Sequence, residues 1–494
     1  MTRCLIGIDV GTTGTKSLLV SERGEILGHA YQGYALSAPR LSRHEQDAED
    51  WWRALVKTVR ALLPHVDDSR PVTAISLSTQ GGTLVPLDRE LKPLRPAIVW
   101  SDTRCEEERQ AFAQEFGDEY LFEKSGWRLS RGLNALQIAW IKRNEPEIFS
   151  RTAWFLSVHD YLSLKLTGIA AVDMSNAGIN QLADIREGTY DQDILRYLGI
   201  KASVLPRIVP SGAPIGELTD EAARELGLPQ PVLLVSGAHD QYAGLLGAGV
   251  TQASEILIGS GTAWVVTALA DQPDFTTGFS QSRSAVPDKW GMLVALSTGG
   301  SSLDWLLKNI LAGNGSSPAD YGLVEQAAKR PPGAGGLMFF PNFNGAFFPV
   351  ADAESKASFV GFDLSHDRVD MVRAVMEGIA CHIAWILEKF REKVGEGTLK
   401  LSGGASKSKP WCQMVADMSN QDLQIPTVKD LPCLGAAILA GVGSGVFRDI
   451  PQANGLFSAH EELVKPDPGR VTQYAAYQTL YRARAKALGA MYRL

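Results

Sequence analysis

Short apolar runs closed by small or acidic residues punctuate the N-terminal part of the chain. Leu5 to Val10 is one such run; Asp9 lies near its end and Gly11-Thr12-Thr13-Gly14-Thr15 follows. Lys16 to Val20, the polar turn Glu22-Arg23-Gly24-Glu25, and Ile26 to Ala30 come next. The order reads as strand, tight turn, strand, turn, strand. From Asp50 to Leu63 the period changes: Trp51, Trp52, Leu55, Val56, Val59 and Leu62 recur at helical spacing. A helix is predicted there, with Trp51 and Trp52 packed into the core of the N-terminal half. Val72 to Ser76 is a further strand, followed by Gln80-Gly81-Gly82.

A comparable order returns later. Pro231 to Val235 leads into Ser236-Gly237-Ala238-His239-Asp240, and Glu255 to Ile258 into Gly259-Ser260-Gly261-Thr262. Trp264 to Leu269 and Met292 to Leu296 follow, the latter closed by Ser297-Thr298-Gly299-Gly300. Helices are predicted at Ser302 to Leu311 and Asp367 to Lys389, and Lys400-Leu401-Ser402 enters Gly403-Gly404-Ala405-Ser406. Strands mixed with helices make this an α/β protein. Two halves that each begin strand, Gly/Thr turn, strand suggest a duplicated domain around a cleft. The boundary is set near residue 248, giving domains 1–247 and 248–494.

Composition narrows the class. At 494 residues, 45% hydrophobic and 21% charged, the chain is too long for one core and too apolar to be disordered. A net charge of −7 leaves no electrostatic footprint for nucleic acid or an anionic membrane. The five cysteines (Cys4, Cys105, Cys381, Cys412, Cys433) show neither CxxC nor zinc spacing, and free thiols are expected. No signal peptide precedes the first strand and no apolar run reaches membrane-span length, so a cytoplasmic protein is expected.

The most informative segment is Asp9-Val10-Gly11-Thr12-Thr13-Gly14-Thr15-Lys16. Glycines let the backbone turn and present N–H groups outward, and threonine hydroxyls add donors. Such a set suits the phosphate tail of a nucleotide. A carboxylate beside phosphates repels them unless a divalent cation intervenes, so Asp9 implies Mg²⁺, held through water. One such turn alone reads as an ordinary hairpin. The segment is neither a Walker A loop nor a Rossmann GxGxxG opening a helix, since a strand follows it. Gly259-Ser260-Gly261-Thr262 repeats the donor chemistry in the second half, and the small residues Gly403-Gly404-Ala405 would let a flat adenine approach the backbone.

In this order along nearly the whole chain, the sequence resembles the FGGY carbohydrate kinase family, in the actin/Hsp70/sugar-kinase fold group. The match runs through Ile8 to Thr13, Pro96-Ala97-Ile98-Val99-Trp100-Ser101-Asp102-Thr103-Arg104, Gly237-Ala238-His239-Asp240-Gln241 and Gly259 to Thr262. It ends with Arg373 to Gly378, Leu401 to Ala405 and Gly435-Ala436-Ala437. Xylulokinases are the members it resembles most. The resemblance implies two RNase H-like domains, ATP bound mainly by the C-terminal one and sugar mainly by the N-terminal one. It also implies Thr12, Thr13, Gly261 and Thr262 at the phosphates, Gly300 and Asp304 near the nucleotide, Gly404 and Ser408 near adenosine, and Asp9 facing the magnesium.

Phosphoryl transfer to a hydroxyl needs alignment, charge neutralisation and a proton acceptor. Asp240 ends an apolar strand among small residues and aligns with the family's catalytic aspartate; its bland reading is an N-cap for the following helix. Gln241 is expected on sugar hydroxyls, with Gln80, Gly81, Trp100 and Asp102 lining the pocket. Glycerol kinases carry an Arg-Glu pair where this chain has Gly81-Gly82, and xylulokinases a Met-His pair nearby. Two glycines are therefore expected to leave room and to disfavour glycerol. Many relatives read Gly-Glu-Arg-Thr-Pro where this chain has Gly345-Ala346-Phe347-Phe348-Pro349. His44, His159 and His239 are assigned structural or surface roles, and strand alternation is expected to turn His239 away from Asp240.

The expected activity is ATP-dependent phosphorylation of a ketopentose such as xylulose. The alternatives are another ketose, a polyol or an aldonate as acceptor, or a nucleotide-driven switch of the actin/Hsp70 kind. A small-molecule sugar is the expected partner, without nucleic acid or membrane, and a homodimer is the expected assembly.

Overall fold

The computed structural model describes residues 2–40, 42–229, 231–312, 320–346, 348–457 and 461–492. The chain forms two compact units. The first comprises Met1–Thr251, Ala270–Met292 and Asp430–Ala459; the second comprises Gln252–Leu269, Leu293–Lys429 and His460–Leu494.

The first unit is built on a six-stranded sheet in the order Pro214–Glu217, Leu233–His239, Val72–Thr79, Cys4–Val10, Gly14–Ser21, Ile26–Gly33. The last three form an antiparallel meander; Val72–Thr79 and Leu233–His239 lie parallel to Cys4–Val10. Cys4–Val10 is buried along its whole length, as a central strand covered on both faces must be. The Ala48–Arg60 helix starts at Asp47, whose side chain accepts the Glu49 N–H, and buries Trp51, Leu55 and Val59. Trp51 meets Tyr161 edge to face at 5.9 Å. Trp52 is likewise buried and donates to Glu225 at 2.8 Å.

The second unit repeats the plan. Its strand order is Trp290–Leu296, Trp264–Ala270, Ile256–Ser260, Leu399–Gly403, Leu423–Pro426, Glu461–Val464, and only Leu293–Leu296 of the first strand belongs to this unit. Leu399–Gly403 lies parallel to Ile256–Ser260, as Val72–Thr79 does to Cys4–Val10. The fold is therefore the expected α/β architecture of two related domains. The helix predicted at Ser302 to Leu311 is α-helical over Gly299–Trp305 and winds wider, π-fashion, over Leu306–Leu311.

All five cysteines are buried free thiols. Among the described residues no helix is long and apolar enough to cross a membrane.

The Arg368–Val394 helix buries His382, whose Nε2–H donates to Phe348 O at 2.8 Å. Burial pushes this imidazole down to about 4. Its depressed value means the unfolded chain takes up a proton that the folded chain refuses between pH ~6.5 and ~4. Stability from this residue is full above the upper limit and falls as pH drops through the window. The expected slope is at most ~1.4 kcal/mol per pH unit. His382→Phe should flatten that part of a urea-midpoint against pH curve; an unchanged slope would assign it to other groups.

Candidate active site

The acceptor-side candidates gather at one end of the first sheet. Asp9 sits opposite Ser78 in the register of the two parallel strands, and Ser78 Oγ donates to Asp9 Oδ1 at 2.8 Å. Burial, and secondarily the charge of Asp240, push the Asp9 carboxyl up to about 7, against the pull of Ser78 and Lys16. These two carboxylates of one unit thus repel each other.

Gly11 to Thr13 form the turn between the first two strands. Thr12 Oγ1 donates to Gln80 Oε1 at 2.9 Å and accepts from Trp100 Nε1 at 2.9 Å. Gln80 Nε2 donates to Gln46 Oε1 at 3.1 Å, and Trp51 Nε1 donates to the same oxygen at 3.1 Å. The Thr12 hydroxyl is therefore committed to the acceptor-side network, so in this state its side chain is not the outward phosphate donor expected of it. Thr13 is exposed. Trp100 is 50% exposed and is not a core residue.

Three expectations about the pocket are corrected. Asp102 is buried, and its carboxylate is consumed by Arg104 (Nε to Oδ1 2.8 Å, Nη2 to Oδ2 2.7 Å) and by the His44 N–H at 2.7 Å. An ion pair so enclosed braces the loop and offers nothing to a sugar hydroxyl. Gly81 and Gly82 do not leave open space. A Cβ at Gly81 would lie 2.7 Å from Ile179 and 2.9 Å from the His239 ring; Gly82 has φ +70° and Trp100 Cβ within 3.2 Å of its own Cβ position. The glycines are there because neighbours already fill the slot. Third, His239 does not turn away: its Nε2 lies 3.3 Å from Asp240 Oδ1. Alternation fails because the strand ends at His239 and a helix, Asp240–Gly247, begins at the next residue.

That helix start also decides the role of Asp240. His239, not Asp240, occupies the capping position, and no side-chain cap bond forms. The Asp240 carboxylate is 29% exposed and accepts from Gln241 Nε2 at 3.1 Å. It is a partly accessible carboxylate, held on Oδ1 from two sides.

In the second unit the turn after Ile256–Ser260 presents Gly261 and Thr262 to solvent. Ser301 N–H donates to Thr262 O at 3.1 Å, and a Cβ on Gly300 would fall 2.4 Å from Gly261 O. Gly404 N–H donates to Ser260 O at 2.6 Å and Ala405 N–H to Ser260 Oγ at 3.0 Å. Gly261, Thr262, Gly300 and Gly404 are thus brought together around Ser260. Ser408 follows on the same loop, its Oγ buried without a hydrogen-bond partner among the described residues. Asp304 stands apart from them in contacts: it accepts from Tyr321 OH at 2.7 Å and pairs with Lys308 at 3.0 Å. Ala346 exchanges two backbone hydrogen bonds with Asp352, while Phe347, the other half of that departure from the family pattern, lies outside the described residues.

Sequence reasoning missed Ser78, Gln46 and the His239 contact. Trp127 was also missed; its ring meets His239 edge-on at 6.0 Å, and its Nε1 is buried without a partner among the described residues. Only the Gln80-Gly81 motif and the strand-to-helix junction could have pointed to them.

With this geometry in hand, comparison with known proteins gives a consistent answer. Residues 4–247 match the N-terminal domain, and residues 256–444 the C-terminal domain, of the FGGY family of carbohydrate kinases. The xylulose kinase of Bacillus subtilis (strain 168) is 30% identical over 483 residues, covering 97% of this chain and 96% of its own. The gluconokinase of the same strain is 27% identical over 455 residues, covering 90% and 88%. The solved structure of xylulose kinase from Rhodospirillum rubrum is 27% identical, with a TM-score of 0.91 and 100% of both chains covered.

Proposed function

The chain belongs to the FGGY family of carbohydrate kinases and is a sugar kinase, and from that premise we propose that it transfers a phosphoryl group from ATP to a ketopentose such as xylulose, with Asp240 as general base. The observation that carries the proposal is the Asp240 carboxylate. It stands partly exposed at a strand-to-helix junction, its Oδ1 held by Gln241 Nε2 and approached by His239 Nε2. With Oδ1 so engaged, Oδ2 is the oxygen presented to an acceptor hydroxyl, and a positioned carboxylate that takes the hydroxyl proton is what this transfer requires. Trp100, exposed beside Gln80, supplies a flat apolar wall for the sugar.

The nucleotide falls to the second unit in this reading. Gly261, Thr262 and Gly300 line the phosphate site, with the Thr262 and Gly300 N–H groups as donors because the Gly261 N–H is spent on Ala263 O at 3.0 Å, and Gly404 and Ser408 face adenosine. Among the described residues no cluster of three or more His, Cys, Asp or Glu could hold a metal unaided. A buried Asp9 carboxylate coupled to the charge of Asp240 does fit a Mg²⁺ that keeps waters and takes other ligands from phosphate. Burial first and the Asp240 charge second raise Asp9, and the second of these is what a cation would relieve. Asp9 would hold it through water, and bound with ATP it would neutralise charge on the phosphates.

The test is a coupled ADP-release screen over pentuloses, hexuloses, alditols and aldonates at saturating MgATP. Xylulose or a close ketose is expected to exceed glycerol in kcat/KM by about 10²-fold, because a three-carbon polyol forgoes contacts that a longer chain makes beside Trp100 and Gln241. Glycerol as best substrate would sink the acceptor assignment. The likeness to a gluconokinase favours an aldonate as second reading; turnover of an aldonate with none on any ketose would establish it.

A further inference from the structure

The strand that delivers Asp240 is not regular. Val235 lies opposite Ser76 and Ala238 opposite Ser78, so Ser236 and Gly237 together face the single residue Leu77. Two residues against one is a bulge, which bends a strand and re-aims the residues beyond it. Its tightness is visible at Gly237, where a Cβ would fall 1.5 Å from Leu77 O. The amides that the bulge withdraws from the ladder still need partners, since a buried unpaired N–H is costly.

Those partners are specific side chains. Gly237 N–H donates to His159 Nε2 at 3.2 Å, and His239 N–H to Ser175 Oγ at 2.9 Å. Each acceptor is itself held. His159 Nδ1–H donates to Ala171 O at 3.0 Å, which fixes the neutral tautomer with Nε2 as acceptor. Ser175 Oγ–H donates to Asp173 Oδ1, which also accepts the N–H groups of Ser175 at 2.9 Å and Asn176 at 3.1 Å. His159, Asp173 and Ser175 are completely buried. Asp173 Oδ2 approaches His159 Nε2 only to 3.9 Å, beyond hydrogen-bond reach, so the imidazole lone pair stays with Gly237.

We propose that His159 and Ser175 are positioning residues that pin this bulge on both sides of Ala238 and so fix where the Asp240 carboxylate leaves the sheet. The inference rests on Asp240 acting as the base. Nothing in it requires His159 to touch a substrate. It explains why an imidazole and a hydroxyl are buried behind the strand end: each accepts a backbone N–H of the bulged segment there. The expected consequence is kinetic, since displacing a reacting group by about 1 Å can cost ~10²-fold.

The experiment uses the full chain and the best sugar from the screen above. His159→Phe keeps a planar ring and removes both nitrogens. It is expected to lower kcat by ~10- to 100-fold with KM for MgATP unchanged, in protein that retains its circular dichroism spectrum and cooperative melt. His159→Gln, which can still accept from Gly237 and donate to Ala171, is expected to recover most of that loss. A folded His159→Phe with kcat within about twofold of the parent, alongside an inactive Asp240→Asn, overturns the positioning role. Should His159→Phe not fold, Ser175→Ala decides: lowered kcat at constant nucleotide KM supports the inference, and parental kcat overturns it. An Asp240→Asn enzyme that turns over at the parental rate overturns the underlying reading instead, and the inference with it.

Discussion

Asp240→Asn is expected to lose at least ~10²-fold in kcat while sugar and ATP still bind. Asparagine matches the carboxylate in shape and keeps an oxygen for Gln241 Nε2, the 3.1 Å contact seen here. It cannot take a proton from a hydroxyl. The loss should therefore fall on the chemical step and spare the ground state, which separates a base from a binding group. Calorimetric titration of both ligands and steady-state ADP release on one preparation make the comparison. A kcat within about tenfold of the parent would remove Asp240 as the base. Removing the Asp240 charge should also lower the raised Asp9, because that charge adds to burial there.

The second large effect is structural. The Asp240–Gly247 helix and the Leu431–Gly443 helix touch backbone to backbone. A Cβ on Gly435 would lie 1.9 Å from Ala243 O, and one on Gly247 would lie 2.0 Å from Leu431 O. Gly435→Val forces these helices apart, and overpacking of this kind costs about 1–3 kcal/mol or more. We expect a fall in Tm of several degrees with reduced kcat, because one of the two helices begins at Asp240. Gly455→Ala is the control. It also lies in a helix, but among the described residues nothing outside the helix's own backbone stands within 4 Å of its Cβ position, so it should hold or raise Tm. Equal Tm values for parent and Gly435→Val would show that the helices yield without cost.

Much of this was legible in the chain. The strand–turn–strand opening, the Trp51/Trp52 helix and the recurrence of the same order after residue 250 follow from periodicity, because each element buries one face and must repeat accordingly. The nucleotide-side cluster around Ser260 was legible for a different reason: glycine and serine at strand ends advertise close backbone approach. What failed were inferences about direction and vacancy. Gly81 reads as empty space, yet its slot is filled by His239 and Ile179, which arrive from elsewhere in the chain. Asp102 reads as a hydroxyl ligand because composition cannot show that Arg104 has already claimed it. His239 was misdirected because period-two alternation stops where a strand becomes a helix.

The discontinuous first unit has a consequence for biosynthesis. Its Leu431–Gly443 helix lies against the Cys4–Val10 strand so closely that a Cβ on Gly7 would stand 1.8 Å from Cys433 O, and Gly441 abuts Leu5. On the ribosome the sheet that needs this cover is complete by His239, but the covering helix is not made until Gly443. At about 5–20 residues per second the wait is roughly 10–40 s. For that interval the Cys4–Val10 strand lacks the Leu431–Gly443 helix that packs on it. Cover from this helix arrives only within about the last eighth of the chain. A chain stopped before Asp430 would keep the acceptor-side strands and lose the element that shields them.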